Sequence, residues 1–200
     1  MPEKLSIVGI GGTTTPNSST EQALRIALRA AEGDGAEVTL FDGAALAALP
    51  HYAARAVEGS EEARRLVTSV RSAHGLIIAS PGYHGSISGL VKNAIDYIEE
   101  TSKDARVYLD GLPVGLIVTA HGWQATGSTL ATMRSIVHAL RGWPTPLGAA
   151  IRSVHGMFKD GECSDPGATA QLELVGKQVA EFARLRRSVP AILSTGPVEE

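Results

Sequence analysis

The stretch Gly75–Glu99, GLIIASPGYHGSISGLVKNAIDYIE, decides the fold. It opens with the apolar run Leu76–Ala79, short enough for a strand buried on both faces. The run breaks at Ser80-Pro81-Gly82, after which Gly85 and Gly89 bracket the serines Ser86 and Ser88. Leu90, Val91, Ala94, Ile95 and Ile98 then recur at helical spacing. Strand, glycine-rich loop and helix in that order present a loop at the carboxyl edge of a parallel sheet, where open α/β folds bind ligands. Glycine lets a backbone approach a flat ligand closely, and Tyr83 and His84 offer planar surfaces beside it.

These residues resemble the isoalloxazine-binding loop of the NADPH-dependent FMN reductase family, a branch of the flavodoxin-like proteins. The family pattern is close to T/S-P-x-Y-x-x-x-x-x-G-x-L-K-N-x-x-D. Ser80, Pro81, Tyr83, Gly89, Lys92, Asn93 and Asp96 match it, and Val91 stands where leucine is usual. The resemblance covers roughly Leu5 to Arg187, dense in the middle and thin at both ends.

Outward from this stretch, the chain reads as repeated strand and helix. Leu5–Ile10 is a strand, and a helix starts at Ser19 or Thr20 with Ala23, Leu24, Ala27, Leu28 and Ala31 on one face. Ser19 with Gln22 can form a capping box. Glu37–Phe41 is the second strand, and Ala44–Gly59 is irregular, broken by Pro50. Glu61–Ser72 is a helix, Gly75–Ser80 the third strand, and Lys103–Leu112 a polar connection. Pro113–Ala120 is the fourth strand, followed by a helix from about Ser128. Trp143–Pro146 is a loop, Leu147–Ile151 a short fifth strand, Gly161–Gly167 a polar turn and Ala168–Arg187 the last helix. Five βα units predict a three-layer, flavodoxin-like α/β sandwich with a five-stranded parallel sheet in the order 2-1-3-4-5. Residues 1–188 are expected to form one flavodoxin-like FMN-binding domain. Residues 189–200 are expected to be a flexible tail or an arm onto a neighbouring subunit.

Composition narrows the function. The 200 residues suit one domain, and 44% hydrophobic content supplies a core. With 18 basic and 21 acidic residues the net charge is −3, and no block of like charge suggests a nucleic-acid partner. One cysteine excludes an intrachain disulfide framework and fits a reducing cytoplasm. The chain begins almost at once with a strand, which argues against a signal peptide. No apolar run reaches the about 18 residues that span a bilayer.

Three loops should meet at the carboxyl edge of the sheet. The first, GGTTTPNSST, has no acid or base but carries the hydroxyls of Thr13, Thr14, Thr15, Ser18, Ser19 and Thr20 before a helix N-terminus. Free N–H groups and the positive helix end suit a terminal phosphate, although the same residues also make an ordinary capped turn. Beside the strand-three loop, phosphate is the better reading. Neither a Walker A nor a complete dinucleotide fingerprint is present, and Asp42 reads as a turn residue. In the family this loop usually reads G-S-x-R-x-x-S. Gly12 and Thr13 fit its start and Ser19 its end, but threonine or proline replaces the arginine. The resemblance therefore implies loosely bound FMN that comes and goes as a substrate. The third loop, Thr119, Ala120, His121, Gly122 and Trp123, runs in relatives along the pyrimidine end of the flavin. Trp123 either stacks on the ring or packs on a neighbouring helix, with packing favoured.

The resemblance implies a cofactor site of Gly12, Thr13, Thr14, Ser18, Ser19, Thr20, Pro81, Gly82, Tyr83, His84, Gly85, Ser86, Thr119, Ala120, His121 and Gly122, with no catalytic side chain and no metal. Hydride transfer between stacked rings needs no protein nucleophile. That agrees with the lack of a G-x-S-x-G elbow and of metal-ligand histidine spacing. His84 stands where relatives often carry asparagine. It either touches the flavin edge, gates nicotinamide entry or is a spectator. Cys163 reads as an inert thiol, and Lys92 with Asp96 as an ordinary helical pair. The implied activity is an NADPH- or NADH-dependent FMN reductase, cytoplasmic and a homodimer or homotetramer through Gly89–Glu100 and Ser128–Leu140. His155–Asp160 is similar to a segment of reductases that feed a flavin-dependent monooxygenase. The rivals are a quinone, azo-dye or chromate reductase with permanently held FMN, and a non-enzymatic flavodoxin-like electron carrier or binding module.

Overall fold

The computed structural model describes residues 4–53 and 56–188. The elements are β1 (Leu5–Gly11), α1 (Ser19–Gly33), β2 (Ala36–Phe41), α2 (Gly43–Ala47), α3 (Glu61–Ser72), β3 (Gly75–Tyr83), β4 (Ser86–Ile87), α4 (Gly89–Asp96), β5 (Pro113–Ala120), α5 (Trp123–Ala139), β6 (Trp143–Arg152), β7 (Phe158–Lys159), β8 (Glu162–Cys163) and α6 (Pro166–Ser188). The expected tail, 189–200, lies outside the described residues.

Five parallel strands run β2-β1-β3-β5-β6, which is 2-1-3-4-5 when they alone are counted. The two-residue β4 pairs antiparallel with β3 and makes the sheet six-stranded. Alternation along the strands divides the core. Val8, Ile10, Leu76, Ile78, Leu116 and Val118 face α2 to α5, whereas Ile7, Ile77, Ile117 and Ile151 face α1 and α6. On the second face α1 and α6 approach closely at Gly176. A Cβ there would lie 2.0 Å from the Ala27 carbonyl oxygen, so only glycine fits.

Side-chain caps set the helix starts. Asp42 accepts from Ala45 N, Ser60 from Ala63 N and Ser88 from Val91 N, each typically worth about 1 kcal/mol. In α1 the cap is Ser18, which accepts from Glu21 N at 3.3 Å. The predicted Ser19–Gln22 box does not form. Gln22 instead donates to Asn17 O and accepts from Gly161 N. The S-x-x-E signature of Ser18 and Glu21 was the signal.

Several predicted boundaries move. Ala44–Gly59 contains the short helix α2. Helix α5 starts at Trp123, ahead of the expected Ser128, because its first turns are too polar to show an apolar stripe. Strand β6 absorbs Trp143–Pro146, predicted as a loop. Its two prolines are tolerated because β6 is an edge strand and need not donate outward. The ladder with β5 is irregular between Val114 and Leu116, beside Pro144. The polar turn before α6 contains β8, which pairs with β7 around Asp160 and Gly161, both at positive φ. A 3-10 turn at Tyr97–Thr101 precedes the polar connection before β5, which contains the anchoring Arg106. Arg106 donates to the carbonyls of Val70, Arg71 and Ala73 at the end of α3, a favourable place for a cation. Burial pushes the Arg106 guanidinium pKa down, against the pull of Asp104 and Asp110. Among the described residues, no helix is long and apolar enough to cross a membrane.

Candidate functional site

The loops after β1, β3 and β5 meet at the carboxyl edge of the sheet, and hydrogen bonds tie them together. Thr20, in the first turn of α1, and Thr119, near the end of β5, share a buried Oγ1–Oγ1 hydrogen bond of 2.6 Å. Both hydroxyls lie below the surface and face each other, so they form the floor between the first and third loops.

The first loop rises from this floor. Gly12 has φ +130, and a Cβ there would lie 2.7 Å from Gly43 N. The Thr13 carbonyl oxygen occupies the space of a Cβ at Gly43, so this loop rests directly on the start of α2. Thr13 Oγ1 accepts from Thr15 N at 3.2 Å, a local turn around the exposed Thr14. Ser18 uses its hydroxyl as the helix cap. The first-turn N–H groups of Ser19 and Thr20 have no acceptor within the helix. The nearest guanidinium on α1, Arg25, is bound to Glu21 at 2.8 Å and to Asp42 at 3.3 Å. Asp42 thus caps α2 and holds Arg25.

The second loop is a hairpin, a form the glycine pattern did not reveal. β3 continues through Tyr83, Ser86 pairs back onto Tyr83, and the two residues between have φ 50 (His84) and φ 84 (Gly85). Positive φ at both central positions is the hairpin geometry that matches strand twist. Gly85 serves the turn, and His84 adopts a conformation rare for a side-chain-bearing residue. Tyr83 is 52% exposed and His84, Gly85 and Ser86 are exposed with it. Beneath them Ser80 Oγ accepts from Ser88 N at 3.0 Å and donates to the Pro81 carbonyl. Gly82 packs against α5: a Cβ there would be 3.0 Å from Thr129 Oγ1. Thr129 Oγ1 donates to Ser86 O at 3.3 Å.

The third loop is fixed by Ser153, which sequence reasoning missed. Its N–H donates to Ala120 O, its hydroxyl donates to Ser19 Oγ, and its carbonyl accepts from His121 Nδ1 at 3.1 Å. A carbonyl only accepts, so the His121 proton is on Nδ1. Nothing around Ser153 in the sequence signals this role, because its partners lie at the start of α1 and the end of β5, both far along the chain from it. Gly122 sits at the N-cap of α5 with no side-chain acceptor, which leaves that helix end open to a ligand. Trp123 is 64% exposed. The favoured packing of Trp123 on a neighbouring helix is therefore not seen within the chain.

Two helix N-termini, a row of hydroxyls and an exposed hairpin thus share one edge, with no carboxylate side chain in the three loops. That donor set suits an anion attached to a flat ring, and FMN fits it. Asn93 and Asp96, the far half of the motif, are elsewhere. Asn93 donates to Pro50 O and accepts from Tyr52 N at 2.8 Å, and Asp96 pairs with Lys92.

A model of the family described as NADPH-dependent FMN reductase matches residues 5–156. An NADPH azoreductase of Bacillus sp. (strain OY1-2) is 25% identical over 162 residues, spanning 80% of this chain and 83% of the relative. An FMN-dependent NADPH-azoreductase of Staphylococcus saprophyticus is 38% identical over 81 residues, only 40% of this chain and 39% of the relative. Among solved structures, FerB, a flavoenzyme NAD(P)H:(acceptor) oxidoreductase from Paracoccus denitrificans, superposes with a TM-score of 0.74 at 19% identity over 91% of this chain and 98% of that one. The apo form of an NADH:FMN oxidoreductase gives 0.67 at 21% identity over 96% and 94%. At these identities the structural likeness speaks to the fold.

Proposed function

The chain belongs to the NADPH-dependent FMN reductase family, and we propose that it moves hydride from NADPH to FMN and releases the reduced flavin to a partner or a second acceptor. When bound, FMN supplies the two-electron chemistry, with its ring taking hydride from the nicotinamide. The residues of this chain bind, orient and shield. The first-turn N–H groups of Ser19 and Thr20, with the hydroxyls of Thr14 and Ser18, hold the phosphate at the positive end of α1. The hairpin Pro81–Ser86 and loop Ala120–Gly122 flank the ring and exclude water from one side. The N–H groups at the uncapped start of α5 stabilise negative charge at the ring's pyrimidine end. The side-chain hydroxyls of Thr20 and Thr119 hold the floor, and Thr20 offers the ligand only its N–H. No protein nucleophile or acid is required.

The observation that carries the reading of flavin as a substrate is the first loop. It has hydroxyls and N–H groups but no cation, and Arg25 is already committed to Glu21 and Asp42. Charge-assisted bonds to phosphate are roughly twice as strong as neutral ones, so their lack favours exchange. The azoreductase relatives support a second reading, an azo-dye or quinone reductase that keeps its FMN. Self-association is assigned to α4 and α5, which line a groove of about 330 Å³ with Ile95, Ile136 and Leu140 in its walls. A homodimer or homotetramer in the cytoplasm, serving a flavin-dependent monooxygenase, completes the proposal.

The test is the visible spectrum after gel filtration, then NADPH oxidation with and without added FMN. A colourless protein whose turnover saturates with added FMN supports flavin as substrate. A yellow protein that turns over only with quinone or dye moves the function to the second reading.

A further inference from the structure

Beside the third loop, a cleft of about 560 Å³ opens along the outer edge of β6. Its floor is apolar, with Ile151, Met157 and Ala168 buried. The exposed indole of Trp123 forms one wall and the start of α6 the other. Two charged side chains line it. Asp165 is occupied, since its Oδ1 accepts from Ala168 N at 2.9 Å and caps α6. Arg152 is exposed, and among the described residues no carboxylate pairs with it.

Its wall is continuous with the flavin site. Arg152 lies opposite Ala120 in the β5–β6 register. The next residue, Ser153, bonds to Ala120, His121 and Ser19. Trp123 follows Gly122 directly.

We propose that this cleft binds a flat aromatic group bearing an anion, with the ring on Trp123 and the apolar floor and the anion on Arg152. An apolar cavity with a few convergent polar groups is the usual form of a small-molecule site. An exposed indole stacks rings, and a free guanidinium takes phosphate or sulfonate with paired donors. The proposal rests on the oxidoreductase reading for its purpose, which is to hold one end of a molecule that reaches the flavin ledge. That chemistry has two sources. One is the adenosine-phosphate end of the hydride donor, and the other is an aromatic sulfonate or carboxylate acceptor.

The experiment uses the full chain with Trp143→Phe, so that Trp123 is the sole indole. Adenosine bisphosphate and a naphthalene sulfonate are titrated in turn against its fluorescence, and FMN is titrated on the same preparation. We expect saturable quenching that weakens about tenfold in Arg152→Ala and is only partly restored in Arg152→Lys, which keeps the charge but loses the paired donors. Quenching by adenosine bisphosphate alone assigns the cleft to the donor, and quenching by the sulfonate alone assigns it to the acceptor. No saturable quenching by either, or quenching unchanged in Arg152→Ala, overturns the proposal. A protein that binds a probe here but not FMN keeps the cleft and loses the functional reading. The reverse pattern loses only the cleft.

Discussion

Pro81–Ser86 and Asn93–Tyr97 belong to one continuous motif, yet the chain uses them in opposite ways. The first forms a hairpin whose Tyr83, His84, Gly85 and Ser86 are exposed and make few bonds to the rest of the fold. The second is an anchor. Asn93 makes hydrogen bonds to His51, Tyr52 and Pro50, and Tyr97, fully buried, donates to Pro50 O at 2.9 Å and meets the Tyr52 ring edge-on at 5.2 Å. Ser80 and Ser88 join the two, because the buried Ser80 hydroxyl accepts from the N–H of the residue that caps α4. A family pattern can therefore mix exposed residues free to meet a ligand with residues that hold the ledge in place, and their hydrogen bonds within the fold separate them.

Substitutions should split along that line. Tyr97→Ala is expected to have the largest effect, about 3–5 kcal/mol of lost stability from a filled core position, read from denaturant midpoints. Asn93→Ala should follow at about 1–3 kcal/mol, because it strips the partner from Tyr52 N and one of two donors from Pro50 O. If either substitution left stability intact while abolishing flavin binding, the anchor assignment would be wrong. Thr119→Val stands between the two behaviours. It leaves the Thr20 hydroxyl buried without its partner, for about 1–3 kcal/mol, and should also loosen the site floor enough to weaken FMN binding.

The smallest effect concerns pH. Burial first, and then Glu100, raises the Tyr52 phenol pKa above its ordinary value. The unfolded chain then loses that proton first, so this stabilisation is intact below pH about 10 and is lost as pH rises through the folded value. Stability against pH should fall less steeply in Tyr52→Phe. An unchanged slope would remove Tyr52 from the account.

The sheet order was legible because apolar runs such as Leu76–Ala79 and Pro113–Ala120 are bounded by glycine and proline. Of the candidate site, the loop after β3 was legible because one contiguous segment carries it. What stayed hidden depended on distant partners or on edge position. Ser153 is defined by Ser19, Ala120 and His121, and Arg106 by the end of α3. The prolines of β6 looked like a loop because one strand cannot reveal that it lies at the sheet's edge. The hairpin at His84-Gly85 was masked by a non-glycine residue in a left-handed conformation. The Asp160-Gly161 turn, by contrast, carried a readable signal that went unused.

In the proposed arrangement the exposed hairpin holds the flavin while the helix behind it holds the fold. The most direct measurement is an FMN titration by flavin fluorescence on the wild type, Tyr83→Ala and Gly85→Val, with thermal unfolding of the same samples. Gly85 is at φ 84 with open space around it, so valine strains the turn rather than the core. Affinity is expected to weaken about tenfold or more in both variants, with unfolding temperatures shifted far less than in Tyr97→Ala. Unchanged flavin affinity in both variants would contradict that arrangement.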